Sequence, residues 1–292
     1  MVNSDGKVLT NKDEILKEAK EHYTKVFEKK SIKQGLEKVE HERNRVCDRR
    51  LQEASKSKTP EWTVKDVKVA IKHLKRGKSK DPLGYPNELF KEEVAGGDLI
   101  LAITKLMNRI KEEQIIPECL SVANVTNIYK NKGSKSSYDS YRGVFRTCVI
   151  RNILDRLIYN DTYDMIDKSL TDCNVGCRKK RNIRDNLFVL NAILNDVKQG
   201  KCEPIDAVVY DVTKCFDSLW LKECINDLHE AGLNDDKLPL LFKTNENAKI
   251  AIKNSKWYHG FNIHTGNSHA GNSVGWAHVH HHHGPVRKAS LQ

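Results

Sequence analysis

Apolar residues recur at intervals of three and four positions in six separate stretches of this chain, and this spacing limits the folds that it can adopt. Side chains at that spacing share one face of an α-helix, so each stretch predicts an amphipathic helix. The six stretches are residues 10–30, 63–74, 99–110, 150–158, 187–197 and 219–228. Two short β-prone runs, residues 121–129 and 205–210, lie among them. Because helices and strands alternate irregularly, we expect a helix-rich α+β fold rather than a regular parallel sheet.

Local signals predict where several of these elements begin or end. Asn11 with Glu14, and Thr63 with Asp66, have the spacing of a capping box at a helix N-terminus. The run Lys130–Gly133 contains turn-forming residues and predicts a turn directly after the first strand. These signals give the helical and extended segments definite limits.

The charge of the chain indicates what kind of partner it has. The 292 residues carry a formal net charge of +11, and 30% of them are charged. Positive charge favours a polyanionic partner, nucleic acid being the first candidate, although a merely lysine-rich protein has the same composition. The N-terminus has no apolar segment typical of a signal peptide, and no apolar run reaches the roughly 20 residues of a membrane span. We therefore expect a protein of the cytoplasm and/or nucleus, neither secreted nor held in a membrane.

The eight cysteines do not have the spacing of a disulfide framework, so we expect reduced thiols. Cys173 and Cys177 have the spacing of half a zinc site, but no second pair of ligands lies near them in the sequence. Zinc is therefore the minor alternative at these two residues.

Asp211 is the first candidate for a chemical role. It follows the apolar run 205–210 directly, so a buried strand there carries a carboxylate at its C-terminal end. A carboxylate oxygen held on a rigid element is the type of ligand that Mg²⁺ prefers. The alternative is an ordinary turn or cap residue, which is the commoner role of an aspartate at the end of a strand.

Four blocks of sequence together resemble one protein family. They are residues 78–91 (KSKDPLGYPNELFK), 128–143 (IYKNKGSKSSYDSYRG), 171–181 (TDCNVGCRKKR) and 207–220 (AVVYDVTKCFDSLW). In order and spacing they resemble the fingers and the first palm motif of reverse transcriptases from non-LTR (LINE-type) retrotransposons. The resemblance covers about residues 60–253. It implies a right-hand polymerase fold with fingers and an incomplete palm, which performs RNA-directed DNA synthesis on an RNA template and a DNA primer with dNTPs.

The resemblance also implies a role for individual residues. Asp211 matches the first catalytic aspartate, which with the backbone carbonyl of Val212 holds Mg²⁺. Phe216 matches the aromatic residue under the sugar of the incoming nucleotide. The cations that match the triphosphate-binding positions of the fingers are Lys130, Lys132 and Arg142. The cations that match contacts to the template backbone are Arg178, Lys179, Lys180 and Arg181.

The sequence departs from the family in ways that affect the activity. Gly143 stands where the family has proline, and Cys177 stands where it has an aromatic residue. The family also needs a second motif with two adjacent aspartates on a hairpin. The pair Asp235–Asp236 follows no strand, and we interpret it as a helix cap. The Mg²⁺ site is therefore incomplete, and we do not expect this chain to polymerise alone.

Three regions are predicted along the chain. Residues 1–59 are a helical N-terminal extension and a charged linker, residues 60–253 are the fingers and the start of the palm, and residues 254–292 are a tail outside the resemblance. Histidines crowd the tail, and an expression tag or a metal-binding tract is the alternative explanation. Back-translation of residues 269–284, shifted forward by one nucleotide, permits the Q-G motif that the family has next. We therefore hypothesise a frameshift near residues 254–268 and a disordered tail.

Two other functions remain open at this point. The chain is a basic remnant that only binds nucleic acid, or it is the non-functional product of a pseudogene.

Overall fold

The computed structural model of the chain describes residues 8–27, 37–210, 219–252 and 263–264. Within these residues the chain is rich in helix and has one small sheet, as the predicted α+β class requires. The helices are α1 Lys12–Phe27, α2 Glu37–Ala54, α3 Val64–Lys72, α4 Glu92–Glu113, α5 Val149–Ser169, α6 Ile183–Lys198, α7 Leu221–Glu230 and α8 Lys237–Glu246. The strands are β1 Val122–Tyr129, β2 Tyr141–Thr147, β3 Lys249–Ile252 and β4 Ile263–His264.

The sheet has the strand order β2-β1-β3-β4. β1 is antiparallel to β2 and parallel to β3, and β3 is antiparallel to β4, so the sheet is mixed. The first two strands form a hairpin whose register pairs Tyr129 with Tyr141 and Ala123 with Thr147. The predicted turn lies at its tip, where Asn131 and Gly133 both have positive φ angles.

The main hydrophobic core surrounds α5. Its residues Ile153, Leu154, Leu157 and Ile158 are at most 1% exposed. They lie one turn apart in pairs and so form one broad apolar face of the helix. Buried side chains of α2, α3, α4, α7 and α8 belong to the same core.

A second, smaller core lies between α1 and one face of the sheet. Tyr23 and Phe27 of α1 pack with Val125 and Ile250 of the strands, and Phe145 of β2 contacts both aromatic rings. The opposite face of the β1–β2 hairpin has exposed side chains. The sheet is thus covered by α1 on one side and open on the other at the hairpin.

Side chains cap the N-termini of α3 and α1. Thr63 and Asp66 form a complete capping box at α3. At α1 the side chain of Asn11 accepts a hydrogen bond from the backbone nitrogen of Asp13, 3.0 Å away.

Helix α2 packs on α7 through charged side chains. The Arg50 guanidinium donates to the Asn226 side chain at 3.1 Å and pairs with Glu230 at 3.2 Å. Lys222 of α7 pairs with Asp48 at 2.7 Å. The charged segment before residue 59 therefore contains a helix, α2, whose Cys47 and Ala54 belong to the main core.

The predicted strand at residues 205–210 is wrong. These residues have no regular secondary structure, and Val209 and Tyr210 are 93% and 86% exposed. A strand is stable only when its backbone groups pair with a neighbouring strand. Among the described residues no strand of the sheet lies beside this run, because β1 has β2 and β3 as its neighbours.

Candidate nucleic-acid interface

The β1–β2 hairpin brings together three of the cations predicted to bind a nucleotide. Lys130 follows β1 directly, Lys132 lies in the exposed turn, and Arg142 is the second residue of β2. In the register of the hairpin, Arg142 lies opposite Ile128. Lys130 is two residues further along the chain than Ile128, so it lies about 7 Å beyond the position opposite Arg142. All three cations therefore lie at the same end of the hairpin.

Hydrogen bonds hold this end of the hairpin in shape. The Lys130 side chain donates to the backbone oxygen of Asp139 at 2.8 Å, across the turn. The Tyr129 hydroxyl donates to the Gly133 oxygen at 2.6 Å, and the Tyr141 hydroxyl donates to the Lys135 oxygen at 2.8 Å. The turn is thus fixed by its own side chains, which limits the entropy lost when an anion binds there.

Arg142 lies on the open face of the sheet. It is exposed, as are Val144 on the same strand and Ile128 opposite. Arg146 shares this face, because alternate side chains of a strand point the same way, and it donates to the Ser79 hydroxyl. The open face of the hairpin therefore carries two arginines and reaches the loop that follows α3.

Asp81 attaches that loop to the start of α5. Its carboxylate is 4% exposed and accepts hydrogen bonds from the backbone nitrogens of Leu83 at 3.0 Å and Tyr85 at 2.8 Å. The other oxygen accepts from the Val149 nitrogen at 2.9 Å, which is one of the free N–H groups at the N-terminus of α5. Lys78 and Lys80 on the same loop are exposed. The first block of the family resemblance thus lies beside β2 and α5.

The Arg178 side chain binds to other residues of the protein. Its side chain is 8% exposed and pairs with Asp167 at 2.9 Å, and the guanidinium also donates to the backbone oxygens of Thr171 and Asn174. The hydrogen bond to Asp167 raises the pKa of the guanidinium above its ordinary value. Arg178 therefore holds the loop after α5 in place, which differs from the exposed phosphate contact that the resemblance implies.

The other three predicted template contacts are at the surface. Lys180 is exposed and has a positive φ of 61°. Arg181 pairs with Asp172 at 3.0 Å. The ammonium group of Lys179 lies 3.7 Å from the ring centre of Tyr163. Arg178 positions a loop on which these three cations are presented.

The residues predicted to hold Mg²⁺ and the sugar lie outside the described residues. These are Asp211, Val212 and Phe216. In the described part of the chain, no three His, Cys, Asp or Glu side chains are grouped as a metal site. Cys173 and Cys177 are exposed free thiols.

Asp235 and Asp236 lie at the start of α8, where Asp236 is the N-cap residue but its side chain makes no cap hydrogen bond to the helix. Asp235 accepts from the backbone nitrogen of Lys237 at 3.0 Å and pairs with its ammonium group at 2.8 Å. Asp236 is 2% exposed and accepts from the hydroxyl of Thr59 at 2.7 Å. Both carboxylates therefore have structural partners.

Two residues of α5, Arg156 and Tyr159, belong to none of the sequence blocks with a predicted role. They line a cavity that also has Lys75 and Lys78 in its wall. Their spacing in the sequence, three positions apart on a helix, is that of neighbours on one face and so was an available signal. The two residues form part of a cavity only because α3 and its loop lie opposite α5 in the tertiary structure.

None of the helices among the described residues is long and apolar enough to cross a membrane. No protein-family model matches the chain.

Proposed function

We propose that the chain is the fingers and the beginning of the palm of a reverse transcriptase of the non-LTR retrotransposon type, and that it binds single-stranded nucleic acid. The observation that carries the proposal is the hairpin of β1 and β2. It holds Lys130 and Arg142 at one end, in the block of sequence that resembles the triphosphate-binding fingers. Clustered cations of this kind bind phosphate groups.

The loop 78–91 and the loop 171–181 support the proposal from two other blocks. The first is attached to β2 and α5 by Arg146 and Asp81, and the second is held on α5 by Arg178. The four resembling blocks are separate in the sequence, and two of them, the loops 78–91 and 171–181, contact β2 or α5. In this proposal Mg²⁺ is the cofactor, dNTPs are the substrates, and Asp211 with Val212 supplies one part of the metal site.

A remnant that binds nucleic acid without catalysis is the second candidate. The sequence favours it because only Asp211 matches the catalytic aspartates of the family, while the basic surface is present. Two Mg²⁺ ions need more than one carboxylate to be held between a primer and a nucleotide. The two candidates share the binding of nucleic acid and differ in templated synthesis.

Both candidate functions include the binding of nucleic acid, which is tested by titrating the chain with a single-stranded RNA at several salt concentrations. We expect affinity to fall steeply with salt, with a slope of log K against log salt of about −0.7 for each phosphate contact. Arg142→Gln and Lys180→Gln should each lower affinity and reduce the slope by about one contact. The same change at Lys105, an exposed cation of α4, serves as the control. A slope near zero for the wild-type chain contradicts the proposal.

A further inference from the structure

A cavity of about 280 Å³ opens between the end of α3 with its loop and the exposed side of α5. This volume is close to the roughly 300 Å³ at which pockets that hold small ligands begin, so the cavity has room for one base-sized group and no room for a duplex. The side with α3 supplies His73, Lys75 and Lys78, and α5 supplies Arg156 and Tyr159.

The cavity is positively charged. Burial lowers the pKa of His73 below its ordinary value, and the positive charges of Arg156, Lys179 and Lys91 lower it further. The carboxylate in the wall, Asp155, pairs with the buried guanidinium of Arg151 at 2.7 Å, which offsets its charge. An anionic group therefore meets an excess of positive charge at this position.

Its wall also has two planar groups. The guanidinium carbon of Arg156 lies 4.9 Å from the ring centre of Tyr159, and the Lys179 ammonium group lies 5.7 Å from the same centre. Unstacked bases of single strands stack on tyrosine rings and on guanidinium planes. Cations beside such planes attract the phosphates of the same strand.

The wall is rigid before any ligand binds. The Asn87 side chain donates to the backbone oxygen of Lys75 at 2.8 Å, and the hydroxyl of Thr147 donates to the side chain of Asn152 at 2.9 Å. Arg156 and Tyr159 lie on the helix that forms the centre of the main core. A site on a rigid helix loses little entropy on binding.

The cavity adjoins the open face of the hairpin. Arg146 of β2 contacts Ser79, the residue after Lys78, and Thr147 bonds to Asn152 in the cavity wall. Arg142 lies four residues before Arg146 on the same face of β2, so the two arginines are about 13 Å apart along the strand. Cations thus continue from the tip of the hairpin to the cavity.

We propose that this cavity accepts one nucleotide of a single strand, with its base stacked on Tyr159 and Arg156 and its phosphate on Lys78. The inference rests on the proposed function and adds to it a defined base-binding position beside Lys179 of the loop 178–181. The strand that enters it crosses the open face of the hairpin. A free nucleotide has the same chemical groups as one nucleotide of a single strand, and the experiment distinguishes these two ligands.

The test uses the whole chain and a short single-stranded RNA with one 2-aminopurine, whose fluorescence is quenched on stacking. We expect Tyr159→Leu to reduce both the quenching and the affinity about tenfold, because the base loses the ring on which it stacks. Tyr159→Phe keeps the ring and should stay within about twofold of the wild type. Lys78→Gln, in an exposed loop, should reduce the salt slope by about 0.7, while Lys105→Gln on α4 leaves it unchanged.

The outcomes are distinct. If the wild-type chain shows no salt-dependent binding of RNA, the proposed function and this inference both fail. If it binds steeply but Tyr159→Leu and Lys78→Gln behave like Lys105→Gln, the proposed function stands and the cavity inference is overturned. If adenosine monophosphate displaces the RNA base at a concentration close to that of the RNA itself, the cavity is a site for free nucleotides, and the single-strand inference is overturned.

Discussion

At the scale of single residues, Gly143 has a packing role in β2. A Cβ atom at this position would lie 2.8 Å from the hydroxyl oxygen of Tyr23 and 3.2 Å from the ring of Phe145. Tyr23 is 4% exposed, and its hydroxyl bonds to the side chain of Asn127. The ring therefore has no free space into which it can move. The close approach of α1 therefore explains why this position of β2 is a glycine.

We expect Gly143→Ala to lower the free energy of unfolding by about 1–2 kcal/mol, because overpacking exceeds the gain in strand propensity. The loss should be smaller in a Tyr23→Phe background, where the hydroxyl is absent. Gly97→Ala in α4, at an exposed position where nothing lies within 4 Å of the added Cβ, should instead change stability by no more than about 0.5 kcal/mol. Urea unfolding of the four variants measures the coupling, and equal losses in both backgrounds would contradict the packing explanation.

Asp227 of α7 contributes a pH dependence. Burial raises the pKa of its carboxyl group from 3.8 to about 6, and the negative charges of Glu223 and Glu230 add to this effect. Arg43 and Arg50 oppose it. A raised pKa means that the folded state holds the proton more tightly than the unfolded state. This contribution to stability is therefore present below about pH 4 and is lost as the pH rises from about 4 to about 6.

We expect Asp227→Asn to stabilise the chain at pH 7 by about 1–2 kcal/mol and to have little effect near pH 4. The measurement is chemical unfolding of both proteins at several pH values. A difference at Asp227 that is the same at pH 4 and pH 7 would show that its carboxyl group is not buried as described.

At the scale of elements, α6 and the run 205–210 are the least covered parts of the described chain. α6 has no buried residue, and its apolar side chains are exposed, Phe188 at 76%. Val209 is 93% exposed. A capping box formed by Asn182 and Asp185 begins the helix. Capping and periodicity thus account for the helix itself, while its packing contributes little to stability.

We expect Phe188→Gln to change the free energy of unfolding by no more than about 0.5 kcal/mol, as for other exposed positions. Leu154→Ala in α5, at a position that is 0% exposed, should cost about 2–5 kcal/mol. Binding of an apolar dye should fall for Phe188→Gln, because that ring is part of the exposed apolar surface. A large loss of stability for Phe188→Gln would show that α6 is packed against another part of the protein.

At the scale of the whole molecule, the chain has many basic residues but only one residue that matches a catalytic carboxylate of the proposed family. The chain has a formal net charge of +11, and its cations surround β2 and α5. Only Asp211 matches the catalytic aspartates of the family, in a stretch outside the described residues. Binding and catalysis should therefore separate in this protein.

We expect the purified chain to bind RNA and to show no measurable primer extension with Mg²⁺ and dNTPs, since one carboxylate cannot hold two metal ions. The assay compares the wild-type chain with Asp211→Ala on the same primer and template. Equal, background incorporation by both is the expected result. Templated synthesis that disappears with Asp211→Ala would contradict the incomplete metal site.

Much of the local structure was predictable from the sequence. The apolar periodicity predicted α3, α4, α5, α6 and α7, and the capping box of Thr63 and Asp66 marked where α3 begins. The run after Tyr129 predicted the turn that brings Arg142 back beside β1. These features depend on residues within one or two turns of each other, so their physical causes lie within short segments.

The tertiary structure decided what the same residues do. Residues 205–210 are apolar enough for a strand, but a strand also needs a partner that the segment itself does not supply. Arg178 is one cation among four in the sequence, and only its contacts with Asp167 show that it is used internally. Tyr159 lines a cavity because α3 and its loop lie opposite. Pairing, ion pairs and cavities join segments that are distant in the chain, so the sequence determined the elements and their charge, and packing determined which charges are available to bind.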